Sequence, residues 1–328
     1  MTRPLMTRIL LATDFSDGAA CAQDYAIYLA SHWGATLEVL HVIEAPHRLS
    51  VEAESLAAVV QARAEAARQL EQVRDDLARH GITAKVRLVL GNPTEHICLA
   101  ARDNGAELVV LGAQGLKTSV YGLIGDTVER VVRESPCPVF SVAGFPTERT
   151  NSSAASGGLS IRHILAPLDF SSPSLDAVEC AIQCAKGLGA VLTLMHVLEP
   201  VGYDLDCGIG LIEQEARKRD YWNRQLMELK AVVTSIGLSA DLEISGGLPS
   251  DAILACALRH HSDLIVMGTH GRRGLSVERF GSVADAVLRR ATCPVLTVKT
   301  PKFAPGHRRV LPQTLGLSEI KGAEDRIL

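Results

Sequence analysis

The chain has 328 residues, of which 47% are hydrophobic and only 4% aromatic, a composition typical of a soluble α/β protein with a core of Val, Leu, Ile and Ala. A formal net charge of −4 favours neither nucleic acid nor an anionic membrane as a partner. No apolar run approaches the roughly 20 residues that a transmembrane helix needs.

The N-terminal apolar run, residues 9–12, stops at Asp14 and is too short for a signal peptide. The eight cysteines of such a chain are expected to be reduced thiols. Cys180 and Cys184 lie four residues apart on one predicted helix face, but no second pair of Cys or His accompanies them, so we expect no metal site. These features predict a cytoplasmic protein.

Short apolar runs alternate with amphipathic segments along the chain. In the first half, strands are predicted near residues 8–13, 36–42, 85–90, 107–111 and 138–142, and helices near 17–33, 51–80, 94–104 and 126–135. In the second half, strands are predicted near residues 163–168, 191–197, 240–245, 263–267 and 294–298. This alternation predicts parallel sheets that helices cover on both faces, with right-handed crossovers.

The two halves repeat each other. Residues 9–16 return as residues 164–171, Gly112 returns as Gly268, and a single one-residue gap aligns the halves. The period is far longer than the roughly 20–50 residues of repeat arrays, so it indicates a duplicated domain. We therefore predict domains at 1–147 and 160–300, a flexible polar linker at 148–159 and a proline-bearing tail at 301–328 that extends or lies over the surface.

A glycine pattern follows the fourth strand of the second half: Gly268, two residues, Gly271, nine residues, then Gly281-Ser282. Glycines permit tight turns and leave main-chain N–H groups open to a ligand. The helix that opens at Gly281 offers unpaired donors and a partial positive charge, which suit a phosphate, and Arg272 adds charge. The alternative is an ordinary strand–loop–helix connection in which Ser282 is the N-cap.

With this spacing, the segment resembles the nucleotide-binding signature of the universal stress protein family. The resemblance covers nearly the whole chain outside linker and tail, and its other marks are Asp14 and Asp169 at the first strand ends and the His-Val pairs at the second. It implies two tandem Rossmann-like domains, each a five-stranded parallel sheet of order 3-2-1-4-5 with helices on both faces. Ligands bind such sheets at the carboxyl ends of the first and fourth strands, where Asp169 and Gly268 lie.

The resemblance implies an adenine-nucleotide site in the second domain, with Asp169 near the adenine or ribose and Val197 against the base. Its residues are Pro167, Leu168, Asp169, Val197, Met267, Gly268, His270, Gly271, Arg272, Gly281, Ser282 and Val283. Asp169 fits equally well as a cap for the helix that follows it. His270 is more readily a loop histidine that shapes the turn than a catalytic base, and no catalytic residue is assigned.

The first domain has weaker counterparts of these residues: Asp14, Val42, Gly112, Gly115 and Gly125. Asp126 stands where the second domain has Ser282, and its carboxylate would repel a triphosphate by about 1–4 kcal/mol. ATP is therefore expected to prefer the second domain, by about tenfold or more if the repulsion exceeds about 1.4 kcal/mol. A Mg²⁺ ion bridging Asp126 to the phosphates would rescue binding.

No P-loop lysine, Ser-His-Asp order or zinc-hydrolase motif is readable in the sequence. We therefore predict an ATP-binding protein, with or without Mg²⁺, and the resemblance implies a signalling role in stress or growth arrest. The alternatives are a slow ATPase in the same crevice and a nucleotide-free scaffold for protein partners. Each half ends in a strand expected at a sheet edge, and the resemblance implies that these strands join the two domains and that whole chains pair as a homodimer.

Overall fold

The computed structural model describes residues 6–44, 53–113, 124–143, 159–199, 208–270, 281–299 and 311, with side chains from residue 59 in the second helix and from residue 215 in the sixth. The chain divides into two compact units, Met1–Ser160 and Ile161–Leu328. Among the helices of these ranges, none is both long enough and apolar enough to span a membrane.

The first unit alternates strands and helices. They are β1 (Arg8–Ala12), α1 (Asp17–Trp33), β2 (Thr36–Glu44), α2 (Ala53–Arg79), β3 (Ala84–Gly91), α3 (Pro93–Asp103), β4 (Leu108–Gly112), α4 (Asp126–Glu134) and β5 (Val139–Val142). All the strand pairs within the unit are parallel, in the order β3-β2-β1-β4-β5.

The second unit repeats this arrangement. Its elements are β6 (His163–Pro167), α5 (Ser172–Leu188), β7 (Val191–Leu198), α6 (Gly208–Ser235), β8 (Ala240–Gly246), α7 (Pro249–Arg259), β9 (Leu264–Gly268), α8 (Ser282–Arg290) and β10 (Val295–Val298). Its parallel strands run in the order β8-β7-β6-β9-β10. Each unit therefore has the predicted strand order 3-2-1-4-5, and the predicted fold class is confirmed.

Local signals set the ends of the first helix of each unit. Ser16 caps α1 and accepts a hydrogen bond from the main-chain N–H of Ala19, and Gly34 ends the helix at φ 63°. In α5 the same roles fall to Ser171 and to Gly189 at φ 68°. A serine oxygen satisfies an orphan N–H at the start, and a glycine takes the left-handed conformation at the end. Ser16 and Gly34 account for the predicted bounds of 17–33.

A carboxylate stands just before the fourth strand of each unit. Strands were expected from residues 107 and 263, but β4 begins at Leu108 and β9 at Leu264. Glu107 accepts hydrogen bonds from the N–H and the hydroxyl of Thr7, at 2.5 and 2.8 Å. Asp263 accepts the N–H groups of Arg162 and His163, both at 2.9 Å. The N–H groups of these two acids also donate to the carbonyls of Arg8 and His163 at 2.9 Å, so both acids link the start of the fourth strand to the first strand.

Most of the expected linker, 148–158, lies outside the described residues, as does the tail apart from Leu311. Leu311 is 3% exposed, so the chain is buried at this residue where a surface course was expected. Its N–H donates to Glu179 Oε2 at 3.0 Å, and Glu179 Oε1 accepts from Gln183 Nε2 at 2.8 Å. Two hydrogen bonds thus satisfy a carboxylate that is itself 4% exposed.

Candidate functional site

The strand order of the second unit reverses between β6 and β9, and the carboxyl ends of these strands form an opening that we call the unit-2 crevice. β6 pairs with β9 at two positions, Ile164 with Leu264 and Leu165 with Ile265. The equivalent strands β1 and β4 pair at four positions. Pro167 ends β6 and has no N–H to donate to a ladder. The hydrogen-bonded pairing of β6 with β9 therefore ends two positions earlier than that of β1 with β4.

The turn between β6 and α5 is braced by Asp169. Its Oδ1 accepts the N–H of Ser171 at 3.0 Å and the hydroxyl of Ser171 at 2.5 Å. Ser171 in turn accepts the N–H of Ser174 at 3.4 Å and is the N-cap of α5. Asp169 therefore does not cap the helix directly but orients the residue that does.

The first unit has the same turn. Asp14 Oδ1 accepts the N–H and the hydroxyl of Ser16, at 3.1 and 2.5 Å, and Ser16 accepts the N–H of Ala19 at 3.2 Å. Since the arrangement recurs in both units, the carboxylate has a structural role at this position whether or not a ligand is bound.

Buried His196 joins the ends of β6 and β7. Its Nδ1–H donates to the carbonyl of Leu168 at 2.9 Å, and His41 makes the same bond to Thr13 at 2.8 Å. A carbonyl only accepts, so this contact places a proton on Nδ1. Val197 follows at the end of β7 and is half-buried, as is Val42 in the first unit.

Gly268 lies where the first turn of α5 crosses the end of β9. A Cβ added at Gly268 would lie 3.0 Å from the carbonyl carbon and oxygen of Pro173. At Gly112 it would lie 2.6 Å from the carbonyl carbon of Gly18 and 2.8 Å from the nitrogen of Ala19. Helix packing therefore requires glycine at position 112 and disfavours a side chain at position 268, independently of any ligand. Met267, before Gly268, is 5% exposed and belongs to the core.

Gly281 is the N-cap of α8, so the interpretation of Ser282 as the N-cap is wrong. The N–H of Gly281 donates to the carbonyl of Thr269 at 2.9 Å, which fixes the helix start beside the end of β9. A Cβ at Gly281 would lie 2.9 Å from that same oxygen. Glycine provides no capping side chain, in contrast to the serines that begin α1 and α5. Ser282, exposed, and Val283, half-buried, occupy the first turn.

The start of α4 in the first unit has the same geometry. Gly125 is the N-cap, and its N–H donates to the carbonyl of Ala113 at 3.1 Å. Asp126 is the first helical residue and is exposed. The correspondence of Asp126 to Ser282 therefore holds in the structure, with a carboxylate at one helix start and a hydroxyl at the other.

The loop after β9 is described only in part. His270 is half-buried, and its Nδ1 lies 2.9 Å from the hydroxyl of Thr269, which is 1% exposed. This contact fits a histidine that shapes the turn. Three residues of the expected sites, Gly271, Arg272 and Gly115, lie outside the described residues.

The expected residues of the second unit come from three stretches, and the structure brings their described members to one edge of the sheet. Pro167 ends β6 and precedes residues 168–169, Val197 lies one residue before the end of β7, and Gly268 ends β9 and precedes residues 269–270. The bond from Gly281 to Thr269 adds the start of α8. This edge presents apolar side chains, the turn of Asp169 and the N-terminus of a helix.

Trp222 is a residue at this edge that the sequence reasoning missed. Its ring centroid lies 5.1 Å from that of Phe170 and 4.4 Å from that of His196. Phe170 follows Asp169 and has φ 62°. The only available signal was the rarity of tryptophan, with two in the chain, because residues 170, 196 and 222 come from three separate elements.

A polar cluster occupies the opposite, amino edge of the same sheet. His163 Nδ1 lies 3.0 Å from the hydroxyl of Ser262, and its Nε2 lies 2.8 Å from that of Thr193. The ring of His260 stacks at 5.8 Å. Burial lowers the pKa of His163, the charge of His260 lowers it further, and Asp263 and Asp241 oppose both effects. This cluster lies at the other end of the strands from the unit-2 crevice, and His163 forms its hydrogen bonds within the cluster.

The second unit is expected to lose stability as the pH decreases, because of His163. Its folded pKa lies below the ordinary value of 6.5, so below that pH the unfolded chain binds more protons than the folded one. Stability is full above about pH 6.5, decreases as the pH falls below it, and levels off beneath the folded pKa. Urea denaturation at about pH 7.5 and about pH 5.5 measures the difference, which His163→Gln should reduce. An equal pH effect in the variant contradicts this assignment.

No metal centre is formed by the described residues, since no group of three or more His, Cys, Asp or Glu among them is arranged to hold an ion. Cys180 and Cys184 are 4% and 1% exposed. The hydrogen bond with Cys184 and burial together raise the pKa of the Cys180 thiol. A thiol with a raised pKa carries little thiolate, so Cys180 is a poor nucleophile. Both residues are buried and act as small core side chains.

Comparison with known proteins gives consistent results for both units. The model of the Universal stress protein family matches residues 6–143 and 160–299. Universal stress protein Slr1230 of Synechocystis is 24% identical over 318 residues, covering 90% of this chain and 100% of that protein. Universal stress protein MJ0531 of Methanocaldococcus jannaschii is 34% identical over 155 residues, 46% of this chain and 90% of that protein. The crystal structure of a universal stress protein from Archaeoglobus fulgidus superposes with a TM-score of 0.68 at 23% identity, covering 91% of this chain and 98% of that one.

Proposed function

This chain belongs to the universal stress protein family, and from that premise we propose that it binds ATP in the unit-2 crevice and acts as a nucleotide-dependent signalling protein in stress or growth arrest. The observation that carries the proposal is the start of α8. This helix has no capping side chain and is held at the end of β9 by the bond from Gly281 to Thr269. A helix N-terminus at the switch point of a parallel sheet suits the phosphates of a nucleotide.

The phosphate end of the site is assigned to the first turn of α8. The N–H of Gly281 is already used by Thr269, so the donors for phosphate are the N–H groups of Ser282 and Val283 and the exposed hydroxyl of Ser282. The helix dipole adds partial positive charge at the same point. Arg272 and Gly271 are proposed to complete the cradle from the intervening loop.

The base end is assigned to the carboxyl ends of β6 and β7, where half-buried Val197 supplies apolar surface beside Pro167. The Leu168 N–H already donates to the carbonyl of Met195 at 2.8 Å, and the Leu168 carbonyl accepts a hydrogen bond from His196 Nδ1. Leu168 therefore gives the base no donor. Asp169 Oδ1 holds the turn through Ser171, so we assign this acid to shaping the base end of the crevice.

Unequal binding by the two units follows from the helix starts. Asp126 places a negative charge where the second unit has a hydroxyl, and a carboxylate there competes with phosphate for the helix dipole. This difference favours ATP in the second unit.

Calorimetric titration of the full-length chain with ATP tests the proposal. We expect about one site per chain, and AMP should bind at least about tenfold more weakly because it lacks the two phosphates nearest the helix dipole. Equal affinity for ATP and AMP contradicts the assignment of α8, and no binding supports the scaffold alternative. Phosphate release is measured in the same samples for the wild type and for His270→Ala. Release that His270→Ala abolishes favours a slow ATPase, and bound ATP without release favours a switch.

A further inference from the structure

We propose that Trp222 is a positioning residue of the unit-2 crevice: it locks the turn between β6 and α5, and so prepares the wall on which the base of a nucleotide lies. We call Phe170, His196 and Trp222 the aromatic stack. The effect on ATP rests on the proposed function, but the effect on the turn is measurable without any ligand.

The aromatic stack connects three elements around the turn. Trp222 lies on α6, His196 near the end of β7, and Phe170 within the turn. The ring centroids are 5.1 Å apart for Phe170 and Trp222, 4.4 Å for His196 and Trp222, and 5.7 Å for Phe170 and His196. Each ring therefore contacts the other two, within the range at which aromatic pairs attract.

The rings at this turn are more deeply buried in the second unit than in the first. Phe170 is 1% exposed and His196 2% exposed, and Trp222 itself is 6% exposed. In the first unit the corresponding rings, Phe15 and His41, stack at 4.4 Å, yet both are only half-buried. The turn is the same in the two units, so the difference lies in what covers it.

The residue that replaces Trp222 in the first unit is Ala66. Buried Leu70 and Leu77 of α2 correspond in sequence to buried Leu226 and Val233 of α6. The same alignment makes Ala66 the equivalent of Trp222. Alanine has no ring with which to cover Phe15 or His41. Among the residues described in the first unit, the turn therefore has the pair of rings and no third.

The backbone of the turn is left-handed at the aromatic residue of both units, with φ 62° at Phe170 and 63° at Phe15. This conformation costs an L-residue with a Cβ free energy unless packing holds it. The second unit adds the ring of Trp222 to that packing. His196 also holds Leu168, two residues before Phe170, through the Leu168 carbonyl. By packing on both rings, Trp222 restrains Leu168, Asp169 and Phe170 together. A restrained wall loses less entropy when a ligand binds, which increases affinity without a new contact.

Hydrogen exchange of the full-length chain tests the turn directly, with Trp222→Ala and the conservative Trp222→Phe. In Trp222→Ala we expect the amides of Leu168 and Ser171 to exchange about tenfold faster, while those of β8 are unchanged. Trp222→Phe should restore most of the protection because it keeps a ring on the stack. Trp33→Phe, at the other tryptophan, is the matched control and should leave the turn unchanged.

ATP titration of the same variants tests the link to function. Trp222→Ala should bind ATP about fivefold to tenfold more weakly, and Trp222→Phe close to the wild-type value. Unchanged exchange at the turn, or equally faster exchange throughout the unit, overturns the positioning role. Faster exchange with unchanged ATP affinity overturns the link to the ligand. If the wild type binds no ATP but exchange responds at the turn alone, the proposed function fails and the positioning role stands.

Discussion

Ser282→Asp is expected to weaken ATP binding to the full-length chain by about tenfold or more, because a like charge close to the phosphates costs about 1–4 kcal/mol at surface-like dielectric. Ser282 is the first residue of α8 and is exposed, so the new carboxylate fits without displacing a neighbour. An acid in the first turn also interacts favourably with the helix dipole, by about 0.3–1 kcal/mol. Affinity should therefore fall while stability is kept or slightly increased, which distinguishes lost binding from unfolding.

Ser282→Asn is the matched control, since it adds a side chain of the same shape without the charge. It should retain most of the affinity that Ser282→Asp loses. The reciprocal variant, Asp126→Ser, should add a second, weaker ATP site to the stoichiometry measured by calorimetry. If Ser282→Asp binds ATP as the wild type does in buffer without Mg²⁺, the phosphates do not lie at the start of α8.

Gly112→Ala is expected to destabilise the first unit by about 3 kcal/mol or more, at the upper end of what an inserted methyl group costs in a packed core. The added Cβ would lie 2.6 Å from the carbonyl carbon of Gly18 and 2.8 Å from the nitrogen of Ala19, both main-chain atoms that no rotamer change can move. Gly268→Ala should cost less, about 1–2 kcal/mol, since its nearest contacts with Pro173 are 3.0 Å. Urea denaturation of the full-length variants measures both.

Gly246→Ala is the control for a glycine in open space. A Cβ there would meet only the carbonyl of Leu198, at 3.9 Å, so the change should leave stability within about 0.5 kcal/mol of the wild type. Equal effects at Gly112 and Gly246 would contradict the view that helix packing selects the motif glycine. The larger loss of stability expected for Gly112→Ala than for Gly268→Ala tests whether the helix crosses the strand more closely in the first unit.

The sequence predicts the candidate residues at one edge of the sheet, but it does not show the contacts that several of them make there. Gly268 is predicted to open its main chain to a ligand, and the structure adds a close approach to Pro173 where α5 crosses β9. The alternative of Ser282 as the N-cap is wrong, because Gly281 takes that position. Asp169 is predicted as a cap or a ligand residue, and in the structure it orients the cap, Ser171. The crossing joins residues 173 and 268, which no single stretch of sequence displays together.

The amino-acid sequence by itself determined the two copies, the alternation of strands and helices and the ends of α1 and α5. These features depend on periodicity, caps and turn residues, which act within a few positions along the chain. Only the tertiary structure decided that α5 crosses β9 at Gly268 and that Trp222 covers Phe170 and His196. Those contacts arise where separate elements pack against one another, and packing depends on side-chain volumes from distant parts of the chain.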